Sequence, residues 1–320
     1  VNFQGKRIIV TGGAGFIGSN LCKSLLEKGA FVRVLDNLIT GNHQNIEPFL
    51  GHPNFEFLEG DICSVQDCYN ALEGIDAISH QAALGSVPRS IEHPHRTHSI
   101  NATGFLNVLH AAKEKGVKRF VYASSSSVYG DAKELPKREG EEGNPISPYA
   151  VTKKLNEQYA KVYFDLHGME VVGLRYFNVF GPNQDPDGVY AAAIPKFIAK
   201  MQNGETLTVN GDGEQTRDFT YVKNAVQANE RALFSQNEAA FGRVYNVACG
   251  EALSLNKVIE SLAQGLKEQD FPIQLDVLYG PERAGDVKHS LADISQIKHH
   301  LEYLPVYTFA QGVKEYLAQL

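Results

Sequence analysis

At 320 residues the chain has room for about two domains, or for one large domain with an elaborated C-terminal part. Its 43% hydrophobic and 21% charged residues match ordinary globular usage and argue against a disordered or fibrous protein. A formal net charge of −7 argues against a nucleic-acid binder, which would need a clustered basic excess, although nucleotides stay open as ligands.

No apolar run reaches membrane-span length and no charged-then-apolar leader opens the chain, so a cytoplasmic protein with no membrane partner is expected. Cys22, Cys63, Cys68 and Cys249 are scattered and read as free thiols. His93, His95 and His98 lie close together, but they straddle a helix start and have no accompanying Cys or carboxylate set; no metal is expected.

The first apolar run, Arg7 to Thr11, passes directly into Gly12-Gly13-Ala14-Gly15-Phe16-Ile17-Gly18 and then a helical pattern at Leu21, Leu25 and Leu26. This is strand, glycine turn, helix. Gly12 permits the sharp turn, Gly15 lets backbone approach a pyrophosphate at the helix N-terminus, and Gly18 allows close helix–strand packing. A second strand, Phe31 to Leu35, ends in Asp36, an acidic side chain placed to accept from an adenosine ribose and to repel a 2′-phosphate, which favours NAD over NADP. The loop Asn37 to Asn42, with Gly41, could add contacts to the same ribose. Phe55 to Leu58 leads into Gly60-Asp61-Ile62, where Asp61 either meets the adenine amino group or caps the next helix. Ile75 to Ser79 opens into His80-Gln81-Ala82-Ala83, small enough to lie against a cofactor.

A helix is predicted over 94–115 and a strand over 120–123, the latter running into Ser124-Ser125-Ser126-Ser127-Val128-Tyr129-Gly130. Serines at the C-terminal edge of a sheet can meet substrate hydroxyls; they can also be turn or helix caps. Ser147-Pro148-Tyr149-Ala150-Val151-Thr152-Lys153 opens a helix reaching His167, with Tyr149 and Lys153 on one face at i and i+4. A protonated Lys153 beside Tyr149 would pull the phenol toward the range of a general base. Val171 to Leu174 is the next strand, followed by Arg175-Tyr176-Phe177-Asn178.

The alternation of strands and helices predicts an α/β fold, a doubly wound parallel sheet of Rossmann type, over residues 1–180, with a smaller α/β substrate lobe over 181–320 and chain exchange across the boundary. In the second part helices are expected over 192–201 and 222–234 and strands over 206–209 and 244–247. Arg217 and Arg283 there can be structural ion pairs or a clamp for a second diphosphate.

Taken together, TGGAGFIG, Asp36, the serine cluster with Val-Tyr-Gly, SPYAVTK, RYFNVFGP, TRDF and ERAGDVKHS resemble the extended short-chain dehydrogenase/reductase family, and within it the nucleotide-sugar C4-epimerases, over nearly the whole chain. Gly85-Ser86-Val87-Pro88-Arg89-Ser90 is similar to the UDP-N-acetylglucosamine (UDP-GlcNAc) 4-epimerase group. The resemblance implies tightly held NAD bound by Gly12, Gly15, Phe16, Ile17, Asp36, Asn37, Gly41, Asp61, Ile62, Gln81, Ala82, Tyr149, Lys153 and Tyr176. It makes Tyr149 the base for the sugar 4-hydroxyl, Ser125 its hydrogen-bonding partner and Lys153 the ligand of the nicotinamide ribose, with a 4-keto sugar as intermediate. Substrate contacts are implied for Ser86, Ser126, Ser127, Asn178, Arg217, Arg283 and Ser290.

In similar enzymes a tyrosine at the position of Ser290 confines the pocket to plain hexoses, and a small residue admits an N-acetyl group. UDP-GlcNAc and UDP-GalNAc are therefore implied, and a homodimer is usual. Ser290 could also cap the following helix. The alternatives are an epimerase of the corresponding uronic acid, which shares GSVPRS, and a non-catalytic nucleotide-binding regulator. A 4,6-dehydratase would carry an acidic pair where Ser125-Ser126-Ser127 stands.

Overall fold

The computed structural model describes residues 3–186, 192–281 and 288–320. The chain runs β1 (Arg7–Thr11), α1 (Phe16–Glu27), β2 (Phe31–Asp36), β3 (Phe55–Glu59), α2 (Val65–Ala71), β4 (Ala77–His80), α3 (Val87–Glu92), α4 (Pro94–His98), α5 (Phe105–Glu114), β5 (Arg119–Ser125), α6 (Pro148–His167) and β6 (Glu170–Tyr176). It continues with β7 (Val179–Phe180), α7 (Ala193–Gln202), β8 (Leu207–Asn210), β9 (Thr216–Asp218), β10 (Thr220–Tyr221), α8 (Val222–Phe234), β11 (Arg243–Val247), β12 (Ala252–Ser254), α9 (Leu255–Lys267), β13 (Val277–Gly280), α10 (Ser295–Leu301) and α11 (Phe309–Leu317).

Seven strands form one parallel sheet in the order β11-β6-β5-β4-β1-β2-β3. Strand alternation sends Ile8 and Val10 into one core with Leu21, Leu25, Ala225 and Ala228, while Ile9 and Ile78 join Val108 and Leu109 on the opposite face. This is the doubly wound Rossmann fold expected from the sequence. Strand order reverses between β1 and β4, and a crevice opens there at the strands' C-terminal ends.

The second lobe is built on two-stranded pairings, β7 with β10, β9 with β12 and β8 with β13, around a separate core that includes Phe180, Phe197, Leu207, Leu262 and Phe309. Chain from beyond residue 181 also returns to the large sheet. β11 pairs with β6 from Arg243↔Val172 to Val247↔Tyr176, and α8 packs against α1 through the first core.

The single helix predicted over 94–115 is corrected: α4 passes into a π-helical stretch, Ser99–Gly104, before α5. The wider turn presents Asn101, whose Oδ1 accepts from Leu84 N at 2.7 Å and whose Nδ2 donates to Leu84 O at 3.1 Å and to Thr152 Oγ1 at 3.3 Å, pinning the rim of the crevice. A pattern read at 3.6 residues per turn carries no mark of that insertion.

The glycine turn behaves as its spacing demands. Gly12 sits at φ 70°, and a Cβ on Gly18 would lie 2.2 Å from Gly12 O. We expect Gly18→Ala to cost about 1–3 kcal/mol through overpacking between α1 and β1. A fall in melting temperature together with weaker NAD binding measures it; an unchanged melting curve contradicts it.

Candidate active site

A cavity of about 910 Å³ runs along the crevice. Its wall includes every residue expected at the cofactor except Asp61: Gly12, Gly15, Phe16, Ile17, Asp36, Asn37, Gly41, Ile62, Gln81, Ala82, Tyr149, Lys153 and Tyr176. Asp61 lies off the wall, with its Oδ1 accepting from Cys63 N at 2.7 Å and its Oδ2 from Asn37 Nδ2 at 3.0 Å. Nor does Asp61 cap α2; that role belongs to Ser64, which accepts from Asp67 N.

The wall fits a dinucleotide. α1 begins at the N-cap Gly15 with no side chain closing its N-terminus, so its first amides are available to an anion. A Cβ on Gly15 would meet only Gly12 O, at 3.2 Å. At the end of β2, the Asp36 carboxylate accepts from Ala14 N and Leu38 N, each at 2.9 Å, and burial raises its pKa. A Cβ on Gly41 would stand 2.9 Å from Asp36 Oδ1, so glycine there lets the loop lie against the carboxylate. Accepting from the turn leaves the ribose-acceptor role of Asp36 open, because each oxygen has a further lone pair.

Of the catalytic candidates, Tyr149 and Lys153 are on the cavity wall, and Ser125 stands beside Tyr149. Ser147 N-caps α6, accepting from Ala150 N at 3.2 Å, and Pro148 pre-sets the first turn, which carries Tyr149. One turn on, the buried Lys153 donates from Nζ to Ala123 O at 2.9 Å, with Nζ 5.9 Å from the Tyr149 ring centroid. Ser125 hydrogen-bonds Tyr149. The expectation that Lys153 lowers Tyr149 is corrected: burial raises the phenol, opposed by the Ser125 hydrogen bond, while burial takes Lys153 down to about 8 against the pull of Glu157. The ammonium is turned to a carbonyl, and desolvation outweighs charge. Even so, a phenol, a serine hydroxyl and an ammonium in one pocket can pass a proton to and from a ligand hydroxyl.

The substrate-side residues that are described lie off this wall. Ser86 N-caps α3 at φ 110°, accepting from Arg89 N at 3.2 Å, and Arg89 itself lines the cavity. Ser126 and Ser127 open a 3₁₀ turn after β5, and Ser127 Oγ is buried with no hydrogen-bond partner. Asn178, exposed at φ 36°, donates to Asp218 O at 3.0 Å. Arg217 donates from Nη1 to Thr216 O at 2.9 Å and Lys288 O at 3.1 Å. Ser290 is half-buried, its N–H donating to Thr216 O at 3.0 Å; it caps no helix, since α10 starts at Ser295 behind Ile294. Arg283 lies outside the described residues.

Two buried networks escaped the sequence reading. Asn229 of α8 is fully hydrogen-bonded: its Oδ1 accepts from Ser79 Oγ at 3.1 Å and Gln81 Nε2 at 3.0 Å, and its Nδ2 donates to Tyr176 OH at 2.7 Å and Ala225 O at 2.8 Å. Tyr176 OH in turn donates to Gln81 Oε1 at 3.1 Å. Gln81 and Tyr176 thus line the cavity with their polar ends turned to Asn229. Around Arg175, Nε and Nη2 donate to Glu157 Oε1 and Oε2, both at 2.8 Å, and Nη1 reaches Glu142 and Tyr129 OH. A charged residue directly after the apolar run Val171 to Leu174, and Glu157 in phase with Tyr149 and Lys153, were the available signals.

Comparison with known proteins agrees with this geometry. The model of the NAD dependent epimerase/dehydratase family matches residues 8–248. A putative UDP-glucose 4-epimerase of Methanocaldococcus jannaschii is 35% identical over 308 residues, 96% of each chain. The structure of a UDP-N-acetylglucosamine 4-epimerase from Methanobrevibacter ruminantium M1, in complex with UDP-N-acetylmuramic acid, is 38% identical, with TM-score 0.91 over 99% of this chain and 100% of that one. That of a UDP-glucuronic acid 4-epimerase from Bacillus cereus, with UDP-glucuronic acid and NAD, is 31% identical, with TM-score 0.87 over 98% and 99%. With the glycine turn, the Asp36 wall and the Tyr149–Lys153 pair in place on a seven-stranded parallel sheet, the chain belongs to the NAD dependent epimerase/dehydratase family.

Proposed function

We propose that the protein interconverts UDP-GlcNAc and UDP-GalNAc by NAD-dependent C4 epimerisation through a transient 4-keto sugar, turning over UDP-Glc and UDP-Gal weakly. The observation that carries the reading is the pair Tyr149 and Lys153 on the wall of a dinucleotide-sized cleft, with Ser125 beside Tyr149. Tyr149 takes the proton of the 4-hydroxyl, Ser125 holds that oxygen, and Lys153 stands by as the ammonium closest along α6. When bound, oxidised NAD supplies the hydride acceptor at C4 and a ring positive charge. The proton returns from Tyr149 after the sugar has presented its other face, and an escape-prone ketone requires tightly held cofactor.

For the sugar, the small side chain of Ser290 leaves room for an acetamido group, and the UDP-N-acetylglucosamine 4-epimerase neighbour supports the same choice. Asn178, Arg217 and Arg283 remain candidates for the substrate side. Ser290→Tyr is expected to abolish turnover of the N-acetylated sugars and retain that of UDP-galactose; unchanged acetamido turnover refutes the gate.

The deciding experiment incubates the protein separately with UDP-GlcNAc, its uronic acid counterpart and UDP-Glc, without added NAD, and separates the products. UDP-GalNAc from the first is the expected result. Product from the uronic acid alone overturns it. We further infer a cytoplasmic homodimer serving polysaccharide biosynthesis. The exposed Val151, Val162 and Leu166 of α6 offer a second copy an apolar face.

A further inference from the structure

Three consecutive residues at the end of β5 meet three positions, one turn apart, on one face of α6. Ser125 hydrogen-bonds Tyr149, Ala123 O accepts from Lys153 Nζ at 2.9 Å, and Ser124 Oγ donates to Glu157 Oε1 at 2.7 Å. The first two contacts belong to the catalytic pair. The third is buried beside them: Ser124 reaches the cavity wall, and Glu157, which is not on that wall, is fixed from β6 by the bidentate Arg175.

We propose that Glu157 is a positioning residue for the reaction, clamping the end of β5 through Ser124 and holding Lys153 in its charged form. The clamp is geometric: Ser124 sits between the carbonyl that receives Lys153 and the serine that receives Tyr149, so fixing Ser124 fixes both contacts. The charge effect follows from position. Glu157 lies one helical turn beyond Lys153, which is 2% exposed and, among the described residues, has no carboxylate within salt-bridge distance. Burial drives Lys153 down, and the charge of Glu157 opposes that fall.

The other groups around the two side chains do not replace it. Facing Lys153 are Tyr149 on its own helix and His80 of β4, which burial and Lys153 push down to about 3 and which is therefore neutral. Facing Glu157 are Arg175 of β6, Lys154 of α6 at 3.8 Å, and Ser124 and Tyr122 of β5. Glu142 draws on Arg175 and Lys154 rather than Lys153. Among the described residues Glu157 is thus the acid whose charge acts on Lys153.

The proposal rests on the catalytic reading of Tyr149 and Lys153, so its test uses no sugar. Competitive acetylation with acetic anhydride across pH, read at Lys153 by mass spectrometry, gives the protonation midpoint in the folded protein. In Glu157→Gln, which keeps an acceptor for Ser124 and Arg175, that midpoint should fall by about one pH unit. In Ser124→Ala, which keeps the charge and loosens the clamp, the acetylation rate of Lys153 at fixed pH should rise several-fold. A midpoint unmoved in a folded Glu157→Gln protein, or a Ser124→Ala rate equal to wild type, overturns the assignment. If the sugars are not turned over while both labelling shifts appear, the substrate reading fails and the positioning role stands.

Discussion

Tyr149→Phe is expected to give a folded, NAD-binding protein whose turnover of UDP-GlcNAc is lower by roughly 10²- to 10⁴-fold. The change removes one oxygen from a half-buried ring and leaves the ring packed beside Lys153. Ser125 loses its partner but still accepts from Ser127 N at 3.2 Å, so the turn after β5 has a second tie. What disappears is the group that takes the 4-hydroxyl proton. Product formation and cofactor released on denaturation should be measured on the same sample. Retained NAD with lost turnover is the expected pair of results; turnover within a few-fold of wild type removes Tyr149 from the chemistry.

Arg175→Met is the second large effect, and it falls on stability. Arg175 is 1% exposed and supplies four hydrogen bonds to Glu157, Glu142 and Tyr129. Removing one member of a buried pair leaves the other charge uncompensated, at a cost of about 3–5 kcal/mol. Urea unfolding should show a lowered midpoint with an unchanged slope. Replacing both partners, Arg175→Met with Glu157→Met, should recover much of the loss, because no buried charge is then stranded; Lys154 and Glu142 keep their contact at 3.1 Å. A single variant as stable as wild type would mean that water or a neighbour satisfies Glu157 in place of Arg175.

The parts of the site legible in the sequence are those written in local spacing. Gly12, Gly15 and Gly18 mark a turn because backbone geometry demands them at fixed intervals, and Tyr149 and Lys153 share a face because a helix repeats every 3.6 residues. The parts that stayed hidden depend on residues far apart in the chain. Asn229 meets Ser79 across 150 positions and Arg119 reaches Ser235 O across 116, and no short window carries either. Electrostatic balance was hidden for the same reason. The i, i+4 spacing of Tyr149 and Lys153 is real, but whether ammonium or desolvation governs the phenol depends on Ala123 O and the surrounding core. The π-helical insertion at Ser99–Gly104 is a third case, set by the contact of Asn101 with Leu84 rather than by composition.

The return of β11 to the large sheet bears on how the protein can be divided. A fragment ending near residue 180 would leave β6 as an edge strand with unpaired amides and with Val172 and Leu174 uncovered where α8 and β11 had lain. Such a piece is an aggregation hazard rather than a miniature cofactor protein. The two lobes are interlaced like the strands of a splice, so they have to be inherited, expressed and unfolded together.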